Sequence, residues 1–202
     1  MGISIPSVPN FTTSSFYLQF NTQQFESSLS KAVQRVQLSG PRWVASFSLP
    51  AMTRDTVSEW ITFFNNLRGN LNTFDAFDPE GKIPRGSAGG APLVNGASQT
   101  GSTLITDGWP ISTTGILLKG DYFSVNNELK QITQNIDSDG SGNATLVFEP
   151  NLRNSPADGA PITTDNATVE MILPNDDAGI FTTDPNGIYL PKSFSAFEPL
   201  NI

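Results

Sequence analysis

The feature that most constrains this chain is a change of hydrophobic period. "FYLQFNTQQF" (16–25) and "WVASFSLP" (43–50) alternate apolar and polar residues, and the second sets Trp43, Ala45, Phe47 and Leu49 on one face. Period two with aromatics is the pattern of a half-buried strand. "VQRVQLSG" (33–40) reads as another strand. In "TRDTVSEWITFFNNLRG" (53–69) the period turns helical, with Val57, Trp60, Ile61, Phe64 and Leu67 along one face. The predicted helix covers 53–68. Thr53 is its N-cap, Asp55 and Glu59 lie in its early turns, and Gly69 follows Arg68 as its C-cap. Aromatic side chains at that spacing are expected in a core rather than around a pocket.

"LNTFDAF" (71–77) alternates again and ends in the turn "DPEG". "IPRGSAGGAPLVNGASQTG" (83–101) has no period and reads as a linker into something new. Beyond it, "GILLKGDYFSV", "ELKQI" and "ATLVFEP" are strand-like, and "VNNEL" (125–129) sets Asn-Asn between two alternating runs, as a tight hairpin needs. "ATVEMIL" (167–173) is one more strand, and the end of the chain carries Phe181, Tyr189, Phe194 and Phe197. The outer parts each look incomplete alone. The expected plan is therefore a discontinuous domain, 1–83 plus 169–202, interrupted by a small all-β domain at 84–168. Such an insertion works because domain termini often lie close together at a surface.

Composition then limits the chemistry. The chain has no Cys and no His, which excludes a Ser/His/Asp triad, a Cys/His pair and a thiolate or imidazole zinc site. Its 11 Lys and Arg are scattered against 19 Asp and Glu, for a net charge of −8, so there is no basic stripe for nucleic acid. No apolar run is long enough to span a membrane, and "MGISIPSVPN" lacks the basic and apolar regions of a signal peptide. Met1-Gly2 suggests myristoylation, but Pro6 stands where Ser or Thr is required. Asn10, Asn143 and Asn166 fit the glycosylation triplet and are read as chance.

"NIDSDGSGNATLVFEP" (135–150) raises a metal question, because Asp137, Asp139, Ser141 and Gly142 match the opening of a calcium loop. Such a loop closes with a bidentate Glu at its twelfth position, which here is Phe148, with Glu149 one residue late. Its flanks are strand-like, whereas an EF-hand needs helices. The stretch is expected to be a hairpin loop, with Asp137 and Asp139 as weak candidates for a surface cation. Paired carboxylates for glycoside hydrolysis are limited to Asp176-Asp177 and Asp137/Asp139. Both lie in turn-like sequence, where a carboxylate stays solvated instead of becoming a desolvated acid catalyst. "GKIPRG" (81–86) lacks the Walker spacing. No enzymatic activity and no cofactor are expected. The residues alone support a β-rich binding or structural protein.

"GPRWVASFSLPAMTRDTVSEWITFFNNLRGNLNTFDAFDPEGKIPRG" resembles a widespread family of tailed-bacteriophage tail proteins. Its members carry a Gly-x-Arg-Trp strand, a Leu-Pro-x-Met turn, a Trp-bearing helix ending in Leu-Arg-Gly, and an Asp-Pro-acid-Gly-x-x-Pro-Arg-Gly turn. Here these are Gly40/Arg42/Trp43, Leu49/Pro50/Met52, Trp60, Leu67/Arg68/Gly69 and Asp78 through Gly86. "APLVNGASQTGSTLITDGWP" and "LLKGDYFSV…DSDGSGNATLVFEPNLR" fit as well, so the similarity covers roughly 16–173. The plan also looks like that of distal tail proteins, in which a β-sandwich with one helix forms a ring and an inserted barrel of OB type hangs outside it.

The resemblance implies a structural virion protein at the phage tail tip, made in the bacterial host cytoplasm. It would form a hexameric ring joining the tail tube protein to the baseplate hub protein, with no membrane contact and with DNA only as passing cargo. An acidic lumen would let that DNA slip through without sticking. The expected fold is thus mainly β: a β-sandwich-like ring domain with one α-helix and an inserted small antiparallel β-barrel. The alternative is a carbohydrate-binding module in which the insert recognises a host glycan, with Trp109 as the sugar contact. The insert is poor in bases, having Arg85, Lys119, Lys130 and Arg153 against eight Asp and Glu, so it is not expected to bind nucleic acid.

Overall fold

The alternation around Trp43 folds as read. In the computed structural model, which describes residues 2–200, Arg42–Leu49 is a strand with every second residue buried. In chain order the described residues form β1 (Ile3–Ser4), β2 (Thr13–Gln19), β3 (Thr22–Glu26), β4 (Val33–Gln37), β5 (Arg42–Leu49), α1 (Arg54–Leu67), β6 (Phe74–Ala76) and β7 (Leu93–Val94). Then follow β8 (Gly101–Asp107), β9 (Tyr122–Val125), β10 (Glu128–Ile132), β11 (Ala144–Leu152), β12 (Ile162–Thr163), β13 (Val169–Met171), a 3-10 turn (Asp176–Gly179) and β14 (Lys192–Phe197). Among the described residues the chain is mainly β with a single α-helix. No helix among the described residues is long and apolar enough to cross a membrane.

Two compact units divide the chain: Pro6–Thr73 with Met171–Ile202, and Met1–Ile5 with Phe74–Glu170. The second unit begins earlier than the sequence suggests. Strand β6, read with the outer domain, pairs in parallel with β1, Ile3 opposite Phe74, and the turn after it is fastened to barrel residues. Alternation shows that a strand has a buried face but not which sheet it joins.

In the outer unit β5 lies between β14 and β2, antiparallel to both, with Phe194 opposite Phe47 and Phe16 opposite Ala45. Helix α1 supplies the aromatic cover. Trp60 and Phe64 lie 5.9 and 5.3 Å from Phe194, and Phe11 stacks on Phe47 at 4.6 Å. The Trp60 indole N–H donates to the Val8 carbonyl at 3.0 Å, so its one polar atom is satisfied. The buried helix face is Val57, Trp60, Phe63, Phe64 and Leu67; Phe63 takes the place expected for Ile61, which is only half-buried. Thr53 is the N-cap by backbone but makes no side-chain capping bond, and the left-handed C-cap is Arg68 (φ 52°), followed by Gly69 (φ 71°). "FYLQFNTQQF" is two strands. The chain breaks at Phe20-Asn21, and β3 leaves with β4 as a separate two-stranded ribbon.

The inserted unit contains the expected barrel. Its strands run in the order β12-β9-β10-β11-β8-β7, all antiparallel. The ring is drawn together where the Val94 N–H donates to the Ala160 carbonyl and the Ile162 N–H to the Pro92 carbonyl, both at 3.0 Å. Strands β9, β10 and β11 form a meander and β12 returns beside β9, which is a Greek key. Asn126 and Asn127, both with positive φ, make the β9–β10 turn predicted from "VNNEL". Leu104, Phe123, Leu146 and Phe148 are among the side chains that fill the interior. The segment 83–101, read as a linker, is irregular but fixed, and contributes β7.

Phe194 touches three aromatic rings and is buried, so Phe194→Ala should cost about 3–5 kcal/mol. The check is urea unfolding followed by tryptophan fluorescence. Exposed Phe25→Ala, in the same experiment, should stay within about 0.5 kcal/mol of wild type.

Candidate functional site

In the loop carrying Asp137 and Asp139, one carboxylate is spent on the loop itself and the other on a neighbouring segment. Asp139 Oδ1 accepts from the Ser141 and Asn143 N–H groups, both at 2.8 Å, and Oδ2 accepts from the Asn143 side-chain amide at 3.0 Å. The Asn143 side chain, then the Asn143 and Ser141 amides, hold the Asp139 carboxyl below the ordinary carboxylate range. Asp137 Oδ1 accepts from the Gly115 N–H at 2.7 Å, and Ser138 Oγ accepts from Thr113 N–H at 3.0 Å while donating to the Pro110 carbonyl. Asp139 thus closes the loop on itself, while Asp137 and Ser138 stitch it to the segment 110–115. Strands β10 and β11 flank the loop, and among the described residues no three carboxylates converge on a point.

Trp109 is in the barrel core. It is 4% exposed, and its indole N–H donates at 2.7 Å to the Thr106 hydroxyl, which donates in turn to the Ala144 carbonyl at 2.9 Å. Neither ring face is available for a sugar, and the sequence reading of Trp109 as a sugar contact is corrected on that ground. Asp176 and Asp177 lie in the exposed 3-10 turn. Asp176 Oδ1 accepts from Asn70 N–H at 3.2 Å, so the pair is solvated as expected.

Two buried polar clusters were not singled out from sequence. The Asp121 carboxylate accepts from the N–H groups of Arg85, Gly86 and Leu118 at 2.8–3.0 Å and from Arg85 Nε at 3.3 Å. Beside it the Tyr122 hydroxyl donates to Asp78 at 3.2 Å, and burial, then the Asp78 charge, push the phenol pKa up. Together they clasp the "DPEGKIPRG" turn. Gly86 leaves no room for a side chain, since an added Cβ would meet the Ile116 carbonyl at 2.4 Å. The second cluster is an ion pair. Lys130, wholly buried, donates to Glu128 at 2.7 Å and to the Asn151 carbonyl at 2.8 Å, while Glu128 accepts from the Arg153 and Asn154 N–H groups. Burial raises the Glu128 pKa, but Lys130 and the two backbone amides outweigh it and hold the carboxyl below its ordinary 4.5. The sequence signal for both was a charge inside an alternating strand run, "KGDYFSV" and "NNELKQI".

One open cleft, of about 220 Å³, lies in the same unit. Asp75 and Glu170, central in β6 and β13, line it with Ser124, Asn127, Thr163, Asn166 and Thr168. It is smaller than a usual small-molecule pocket, and its lining holds hydrogen-bonding groups but no aromatic ring. The Asp75 carboxylate already accepts from the Gly2 N–H at 3.2 Å. The chain matches no known protein-family model and no curated protein.

Because folding lowers the Glu128 pKa, its contribution is complete above the ordinary 4.5 and is lost as pH falls through the lower folded value. Urea midpoints of the wild type should therefore fall between about pH 5 and pH 3. Glu128→Gln should lose about 3–5 kcal/mol at pH 7, since it leaves the buried Lys130 without its countercharge, and should lose less of its remaining stability on acidification. A second expectation concerns the 137–143 loop. Millimolar calcium should leave the melting temperature of the wild type unchanged, and a clear rise that Asp137→Ala/Asp139→Ala abolishes would assign the loop to a cation.

Proposed function

We propose that this chain is a structural component of a phage tail, a distal tail protein that assembles as a six-membered ring between the tail tube and the baseplate hub. The observation that supports the reading is the two-unit division: Pro6–Thr73 and Met171–Ile202 make one unit, and between them in sequence runs Phe74–Glu170, which carries the barrel and is joined in the second unit by residues 1–5. That is the plan implied by the resemblance, and the strings that carry the resemblance occupy structural positions. Trp43 and Leu49 lie in central strand β5, Arg68 ends the only α-helix among the described residues, and Asp78 through Gly86 form the clasped turn into the barrel.

A ring needs two different faces that complement each other rather than a catalyst, and an acidic chain suits a channel through which DNA passes without adhering. The function is thus non-enzymatic, the location is the virion tail tip, and the partners are further copies of the chain, the tube protein and the hub. The glycan-binding alternative loses its carrier with Trp109 in the core. The polar cleft offers no ring on which a sugar could stack, so the structural reading is preferred.

Immunogold electron microscopy of particles from the source organism, using an antibody to this chain, tests the reading. Gold should cluster at the far end of the tail. Label at the neck or along the tube would refute the ring position, and unlabelled particles would refute the tail assignment.

A further inference from the structure

We propose that the β3–β4 ribbon is a docking arm gripped by a second copy of this chain. All ten of its strand residues are exposed, on both faces, and no third strand pairs with it among the described residues. Phe20, Phe25, Val33, Val36 and Leu38 lie at or within its ends, and Phe25 is 55% exposed. An isolated two-stranded ribbon is marginal in water. Proteins that remain single guard such edges with proline, a bulge or inward charges. "TQQFE" and "VQRVQ" have no proline, pair without a bulge, and carry one charge each.

The register indicates how the arm must be covered. Phe25 stands opposite Gln34 and Gln23 opposite Val36, so Phe25 and Val36 share one face, while Val33, opposite Glu26, is on the other. A lipid surface needs its apolar groups on one side. An arm with apolar groups on both faces fits a slot.

Charge selects the occupant. Residues 1–54 hold four Lys and Arg and one acid, Glu26, whereas the rest of the chain holds seven against eighteen. On the ribbon Lys31 is paired with Glu26 at 2.8 Å, which leaves Arg35 to give the arm its positive sign. One such cation is too few for a phosphate track. It matches the acidic remainder of another copy of the same chain. The contact is then heterologous, arm to body, and propagates around a ring or along a filament. The inference rests on the ring reading only for the closure, not for the contact.

The test uses the full chain with the photo-crosslinker benzoylphenylalanine at position 25, irradiated at about 0.5 mM, a concentration that populates even a weak contact. Crosslinked dimers and larger species should form, joined to residues outside 17–38 of the other copy. By sedimentation, Phe25→Asp and Arg35→Glu should each weaken association about tenfold or more, with unchanged melting showing that both variants fold. A strictly monomeric protein overturns the proposal, and so do crosslinks only from ribbon to ribbon. Association that neither variant weakens overturns the arm and leaves the six-membered ring standing. Arm-dependent dimers or open chains sustain the arm and remove the ring.

Discussion

Everything in the outer unit depends on β14 finding β5. Ser193 and Ser48, hydrogen-bonded at 2.8 Å, are 145 residues apart, and on the same pair of strands Phe194 faces Phe47. Without β14, central strand β5 has an open edge and the helix loses the ring against which Trp60 and Phe64 pack. Closing so long a connection is cheaper than it looks. The entropic cost rises by about 0.6 kcal/mol per doubling of length, so a tenfold longer connection costs about 2 kcal/mol. Burial of a single phenylalanine side chain contributes about as much. The inserted barrel shortens the effective loop further by folding around its own core, in which Phe123 and Phe148 meet edge to face.

A chain without His or Cys organises its polar interior with carboxylates that accept from backbone amides. Asp121 holds the entry turn of the barrel, Glu128 holds the segment after β11, and Glu198 accepts from the Trp43 N–H at 3.1 Å to fix the start of β5. All three are buried. Part of the acidic excess is therefore structural and offers nothing to a passing polyanion. Only acids on the surface would bear on the proposed DNA channel, so the net charge of −8 overstates the repulsive charge available to it.

Much of this was legible from the sequence, and the reasons differ by element. Strand β5 and helix α1 declared themselves because each has one buried face and keeps its period over a long run. The β9–β10 hairpin was legible because two asparagines in succession tolerate positive φ. The boundary at which the second unit begins was missed by about ten residues because alternation carries no information about the partner sheet. The clasp at Asp121 was missed because its donors are mostly backbone amides, which leave no mark on the sequence, so the charge inside the "KGDYFSV" run stood without a visible partner. Trp109 was raised as an alternative sugar contact because stacking on tryptophan is a usual mode of sugar binding, whereas Thr106 three residues earlier gives its N–H a buried partner.

The stretch 16–25 carries the last lesson. Its alternation holds from Phe16 to Phe20, Phe25 follows out of phase after a polar run, and the fold treats the two halves differently. Phe16 stacks on Trp43 at 5.2 Å and Leu18 is half-buried, while Phe20 and Phe25 are exposed. Period two records that a face is to be covered, not by which chain. Where the covering surface is absent from the protein's own fold, the same pattern that elsewhere marks a core marks an apolar surface with free strand edges. Such an edge is a hazard unless something pairs with it. In a chain whose other strands are barrelled, paired or packed under aromatics, the persistence of this one bare ribbon is the strongest physical reason to look for its cover outside the monomer.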